Sequence, residues 1–388
     1  MNSRPTLHYD VIIIGAGSIG TPTAFFLAKN GIKTLVLDPN ASVGQGSSKR
    51  AIGGIRATHS DPAKIRLCLR SIEIFSTWKE TFGDNIDWYQ GGYCFVAYRE
   101  QEEKTLRDLL NVQKSYGLDI SWLDRSELLE RVPRLNSAGL IGGTFSPKDG
   151  SASPLLATHA FFKHAKENGA EFRFEEKVTE IILKNNKIAG VRTDQGQYSA
   201  DIVINAAGPW AKQVSELVGH SIPVNPDSHE AAITEPVSHF LDPMIVDIRT
   251  SPGSSNFYFY QHNTGQIIFC LTPNPPIWGY NTNETSDFLP LVARKMVEVM
   301  PCLKNIRVRR TWRGLYPMTP DGFPIIGWSR EIDGFINAAG TCGQGFMLGP
   351  GVGELINRMI LNKTTAEDQK TLQIVNPYRE FVGQEQLK

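Results

Sequence analysis

The stretch VIIIGAGSIG, Val11–Gly20, decides the fold. Its first four residues are β-branched and apolar without interruption, the pattern of a strand buried on both faces of a parallel sheet. Three glycines follow as Gly15-x-Gly17-x-x-Gly20, and then TPTAFFLAKNG, in which Pro22 fits only a first helical turn and Gly31 is a natural stop. KTLVLD (Lys33–Asp38) reads as a second buried strand, completing a βαβ unit of about 30 residues. Asp38 ends that strand 18 residues after Gly20, near the spacing of roughly 20 at which an acidic side chain meets a ribose hydroxyl.

In that setting Gly15 makes the tight turn, Gly17 lets the backbone approach a pyrophosphate, and Gly20 lets the helix pack against the strand. Ser18 and Ile19 lie between them, where the helix start offers free N–H groups and the positive end of its dipole. No GKS or GKT follows, which disfavours a P-loop kinase or ATPase. The expected occupant is a dinucleotide, and this turn alone does not decide between NAD and FAD.

The rest of the chain narrows the class. Its 388 residues are enough for two ordinary domains or one large domain with an insertion. Lys plus Arg and Asp plus Glu both number 40, so neither a nucleic-acid footprint nor a polybasic membrane patch is expected. Cys68, Cys94, Cys270, Cys302 and Cys342 are scattered with no CxxC pair. That argues against a disulfide framework and a zinc site, and fits a reducing compartment. There is no visible secretory signal and no apolar run of the roughly 20 residues a membrane span needs. The expectation is a soluble cytoplasmic protein without a transmembrane segment and without bound metal.

VGQGSSKRAIGGIR (Val43–Arg56) has neither helical nor strand period and is long for a connection inside a compact domain, which marks a functional loop. A second wholly apolar β-branched run, Ile202–Ile204, repeats the signature of the first strand. Between these two runs, and again over residues 222–310, the sequence is mixed, with alternating strands such as NFYFYQ and QIIFCL. The nucleotide domain is therefore expected to be discontinuous, with an α+β domain threaded through it.

VINAAGPWA (Val203–Ala211), GSSKRAIGGIR and the later WRGLYPMTPDGFPIIG…GTCGQGF together resemble the D-amino-acid oxidase-like superfamily of FAD-dependent amine and amino-acid oxidoreductases. Within it the chain is similar to glycine oxidase, monomeric sarcosine oxidase and the catalytic β subunits of heteromeric sarcosine oxidase and dye-linked proline dehydrogenase. The resemblance runs from Asp10 to about Met359. It implies a glutathione reductase-like, Rossmann-type α/β FAD-binding domain over 1–85, 145–222 and 311–388. It also implies an α+β substrate domain with a mixed or antiparallel sheet over 86–144 and 223–310.

The resemblance also implies contacts. Ser47, Ser48 and Lys49 belong to the loop along the pyrophosphate and flavin, and Val178 to the strand whose backbone meets the adenine. Ala206, Ala207, Gly208 and Trp210 form a later cofactor-facing turn. Gly343, Gly345, Phe346 and Met347 lie in the segment whose N–H groups face the flavin C2 carbonyl, where backbone donors would stabilise the negative charge of the reduced ring. The implied reaction moves a hydride from an amine's Cα to flavin N5 and gives an imine, with orientation of the substrate as the protein's main contribution.

For a carboxylate-bearing substrate, Arg56 aligns with the substrate arginine of monomeric sarcosine oxidase, with Arg50 as the neighbouring alternative. Tyr258 matches the substrate-facing tyrosine of glycine oxidase, and His262 lies in the same hairpin. Three positions depart from the family. Tyr316 stands where glycine oxidase has its carboxylate-binding arginine, Met347 where monomeric sarcosine oxidase has a lysine, and Gly314 where that enzyme has its flavin-attaching cysteine. Non-covalent FAD is therefore expected. Ile267 replaces the lysine linked to oxygen activation, which leans toward a dehydrogenase, although glycine oxidase lacks that lysine too. The electron acceptor, O2 or another, stays open, as do a homo-oligomer and a partner subunit. The alternatives on this scaffold are an FAD-dependent 2-hydroxy-acid dehydrogenase, the catalytic subunit of a heteromeric dye-linked dehydrogenase, and a flavoprotein with a tRNA- or assembly-related role, the last disfavoured by the neutral charge.

Overall fold

The structure, a computed structural model, describes residues 7–387. The apolar run forms β1 (His8–Ile14), the glycine turn leads into α1 (Gly20–Lys29), and β2 (Thr34–Leu37) returns parallel to β1 with Val11 opposite Thr34 and Ile14 opposite Leu37. Both strands are buried along nearly their whole length, because helices cover one face of the sheet and a hairpin layer covers the other.

Glu171–Arg173 pairs parallel outside β2. On the other side of β1 come Gln197–Asn205 and then Phe335–Ala339, both parallel, with Ile325–Trp328 antiparallel at the edge. The second β-branched run, Ile202–Ile204, thus lies directly against the first. A hairpin, Val178–Lys184 and Lys187–Thr193, continues from Gln197–Asn205. Gly20 is required here. A Cβ on it would stand 1.9 Å from the Gly15 carbonyl oxygen, so only glycine lets α1 start this close to the turn.

The second sheet runs Val308–Met318, Asn225–Pro236, Gln266–Asn274, Gly253–Gln261, Met244–Asp247, Tyr93–Ala97, Gly142–Ser146 and Ser121–Asp124. Its pairs are antiparallel except Met244–Asp247 with Tyr93–Ala97. The boundaries expected at 144/145 and 310/311 cut through Gly142–Ser146 and Val308–Met318, each of which lies whole within this second sheet. Ladder pairing fixed their membership: Val308–Met318 runs beside Asn225–Pro236 for its full length. No helix among the described residues is long and apolar enough to cross a membrane.

Candidate functional site

A cavity of about 770 Å³ opens where the two sheets face one another, toward the upper end for ligand pockets. One part of its wall is the βαβ unit: Gly15, Gly17, Ser18 and Ile19 of the turn and Asp38 at the end of β2. The Asp38 carboxylate accepts from Ala16 N at 2.7 Å on Oδ2 and from Asn40 N and Nδ2, both at 2.8 Å, on Oδ1, which fixes it at the rim with one lone pair of Oδ2 to spare. Gly17 differs from Gly20. A Cβ there would meet only the Ser48 hydroxyl, at 3.2 Å, so the protein itself leaves room at Gly17, as close approach by a ligand would need.

The loop after β2 is stitched to the second sheet. Ser47 Oγ donates to Leu315 O at 2.8 Å, Arg50 Nη1 to Arg313 O at 2.9 Å, and Trp312 Nε1 to Arg50 O at 2.8 Å. Ser48 Oγ accepts from Ser18 N at 3.0 Å, tying the loop to the glycine turn. Ser47, Ser48 and Arg50 line the cavity. Lys49 does not: its ammonium reaches Gln45 Oε1 at 3.0 Å on the exposed side. The short 3-10 turn Ser48–Arg50 turns successive side chains by a third of a circle, so Lys49 is directed outward between two inward neighbours.

Val178, Ala206, Ala207, Gly208 and Trp210 form further wall, as do Gly314, Gly343, Gly345, Phe346 and Met347. The helix Gly345–Ile360 starts here, and the N–H groups of its first turn have no acceptor within the helix. They and the helix dipole make this end of the wall favourable to negative charge.

At the second sheet the cavity is lined by tyrosines. Tyr258 and Tyr316 come from different strands and share a hydroxyl–hydroxyl hydrogen bond of 2.7 Å. Burial raises both phenols well above their usual pKa, so at neutral pH they are hydrogen-bonding groups and not bases. Four unforeseen residues support the site. His229 stacks on the Tyr316 ring with centroids 3.7 Å apart, and Asp227 Oδ2 receives its Nε2–H at 3.0 Å. Tyr93 and Met244 add to the wall near Arg56. Strand alternation was the only trace of these residues in the sequence. His262, in contrast, sits at the hairpin turn with its Nδ1 on Thr264 Oγ1, at 2.6 Å, and is not in the wall. It lies four residues beyond Tyr258, roughly 13 Å along the strand. Ile267 is buried outside the wall as well.

Arg56 is in the wall and 6% exposed. Its Nη1 donates to Thr58 O and, at 3.3 Å, to His59 Nδ1; its Nη2 donates to Leu387 O at 2.5 Å. Nε–H and one Nη2–H have no acceptor among the described residues. Arginine can only donate, so His59 accepts at Nδ1 and carries its proton on Nε2, toward Cys68 Sγ at 3.4 Å. Burial, and then the Arg56 charge, keep His59 neutral well below its usual pKa.

Residues 10–359 match the family described as FAD dependent oxidoreductase. The chain belongs to that family. L-proline dehydrogenase from P. horikoshii is 32% identical and superposes with a TM-score of 0.90 over 96% of this chain and 98% of its own. Glycine oxidase of Bacillus subtilis (strain 168) is 27% identical over 93% of this chain and 95% of its own length. Hydrogen cyanide synthase subunit HcnC of Pseudomonas aeruginosa is 26% identical over 93% and 94%.

As a member of the FAD dependent oxidoreductase family the chain is an enzyme, and its wall suits FAD: an open glycine at the pyrophosphate approach, an acidic rim at Asp38, and helix-start donors at Gly345. Bound there, FAD supplies a two-electron acceptor for substrate oxidation. The loop and strand ends would hold the cofactor, and Arg56, Tyr258 and Tyr316 line the same cavity. Gly314 offers no thiol. The one cysteine in the wall, Cys342, donates its thiol to Gly340 O at 3.2 Å. Acid precipitation of the FAD-loaded protein is therefore expected to leave all the flavin in the supernatant; flavin retained on the pellet would show a covalent bond.

Proposed function

We propose that this enzyme oxidises the C–N bond of a small amino acid or secondary amine, of the glycine, sarcosine or proline type. The observation that carries this reading is Arg56: a guanidinium in the cavity wall with two N–H groups left for a carboxylate, in the same cavity as the Tyr258–Tyr316 pair. Burial pushes the neighbouring Asp149 carboxyl up to about 7, so it is partly protonated near neutral pH and offsets less of the Arg56 charge.

The Tyr258–Tyr316 pair supplies a second contact: one hydroxyl proton is taken by their mutual hydrogen bond, and the other is a neutral donor. The relatives named as oxidising proline and glycine support the substrate class. That some relatives are named as subunits, of hydrogen cyanide synthase and of sarcosine oxidase, supports a partner subunit as one arrangement for this chain.

The test is Arg56→Ala, assayed by anaerobic flavin reduction with whichever of glycine, sarcosine and L-proline reduces the wild type fastest. The KM is expected to rise at least roughly tenfold, ~1.4 kcal/mol. An unchanged KM removes Arg56 from the substrate site.

A further inference from the structure

The segment Glu385–Leu387 is far from the cavity in sequence and adjacent to it in space. Leu387 is fully buried, in the apolar cluster that contains the cavity-wall residues Tyr93, Met244 and Val246. Its carbonyl receives Arg56 Nη2 at 2.5 Å.

The segment is anchored two residues earlier. Glu385 Oε2 takes Lys64 Nζ at 3.2 Å, with both side chains wholly buried, and Oε1 takes Ser60 N at 3.0 Å and Ser60 Oγ at 2.6 Å. Gln386 N donates back to Ser60 Oγ at 3.1 Å, and Glu385 N to Asp321 O at 3.2 Å. A polar segment gains little by burying a glutamate unless its charge is paired and hydrogen-bonded, as it is here.

We propose that Glu385–Leu387 is a positioning and specificity element of the substrate site. The Leu387 carbonyl and the Thr58 carbonyl hold the Arg56 guanidinium between them, directing its remaining N–H pair at the substrate carboxylate. The Leu387 side chain backs Tyr93, Met244 and Val246 and keeps that end of the cavity small and dry. Glu385 is the anchor. Without the segment, Arg56 loses an acceptor and swings free, water reaches the wall, and binding weakens while the chemical step, which Leu387 does not touch, is preserved. This rests on the carboxylate reading of Arg56 given above.

Two variants of the FAD-loaded enzyme test it. One is a chain ending at Gln384 that also carries Lys64→Met, so that no buried lysine is left unpaired. The other is Leu387→Ala, which keeps the anchor. Acetate, an unreactive carboxylate, is titrated against the flavin absorption spectrum, and kcat and KM are measured with the best amine substrate. In the shortened chain the acetate dissociation constant and KM are expected to rise at least roughly tenfold, with kcat within about threefold; Leu387→Ala falls between. Constants within about twofold of wild type in both variants overturn the proposal. So does tighter acetate binding in the shortened chain, which would make the segment a competitor of the substrate. Acetate weakened in a protein whose wild type no amine reduces would uphold the segment's role and sink the amine reading alone.

Discussion

Gly17→Ala is expected to give a folded protein that retains little FAD. The added Cβ meets nothing of the protein but the Ser48 hydroxyl, 3.2 Å away, which has to give by only a few tenths of an ångström. What it would meet is FAD bound as proposed, where the turn between β1 and α1 would lie closest to the pyrophosphate. Overpacking a tight contact typically costs about 1–3 kcal/mol, so FAD affinity is expected to fall at least roughly thirtyfold, ~2 kcal/mol. Gly20→Ala is the contrasting case. Its Cβ would lie 1.9 Å from the Gly15 carbonyl oxygen, a clash inside the protein, and low soluble yield is expected with or without FAD. Equilibrium dialysis with FAD separates the two. Full FAD retention by Gly17→Ala would place the pyrophosphate elsewhere.

Lys64→Met is expected to release the segment Glu385–Leu387 without unfolding the rest. The substitution leaves the Glu385 carboxylate buried beside no ammonium, and breaking a buried pair this way costs about 3–5 kcal/mol. The cost is limited by an escape route, because Glu385 can move into water by undocking the segment. Amide exchange at Gln386 and Leu387 is expected to quicken by roughly a hundredfold, a loss of ~3 kcal/mol in local stability. Glu385→Leu in the same chain removes the stranded charge and is expected to restore much of the protection, since an apolar replacement for a buried pair is often neutral. Equal exchange in wild type and both variants would deny the ion pair any anchoring role.

Acid has a related effect. Burial pushes the Glu385 carboxyl up, and Asp61 lies beside it, but Lys64, His59, the Ser60 hydrogen bond and Arg56 together outweigh burial and hold it below the usual glutamate range. A carboxyl depressed in the folded state contributes stability that is present above its unfolded pKa and lost as pH falls. Docking of the segment is thus complete at neutral pH and weakens in acid, and this acid dependence shrinks in Glu385→Gln.

Sequence alone was informative wherever chemistry depends on local spacing. The strand, the three glycines, α1 and Asp38 follow one another within 28 residues, each constraining the next, and all stand where the motif requires. Ile202–Ile204 was equally legible, because a doubly buried strand has an uninterrupted apolar pattern. Side-chain direction was not. Lys49 is directed outward because of the phase of a short 3-10 turn, and His262 is displaced from the cavity by the length of a hairpin. Neither property has a compositional signal. The contact of Arg56 with Leu387 spans 331 residues, and a single leucine in a polar segment carries no period to announce its burial. His229 was missed for a similar reason: its role comes from stacking on Tyr316, a neighbour only through strand pairing.

The central claim is oxidation at a C–N bond, and the most direct measurement is reduction of the enzyme-bound flavin without oxygen. The FAD-loaded protein is mixed under nitrogen with glycine, sarcosine or L-proline, and separately with 2-hydroxyglutarate or glycerol 3-phosphate, while the oxidised-flavin absorption band is followed. The account predicts bleaching by at least one of the amino compounds and none by the hydroxy compounds. Bleaching by a hydroxy compound alone would contradict it and assign the cavity to alcohol oxidation.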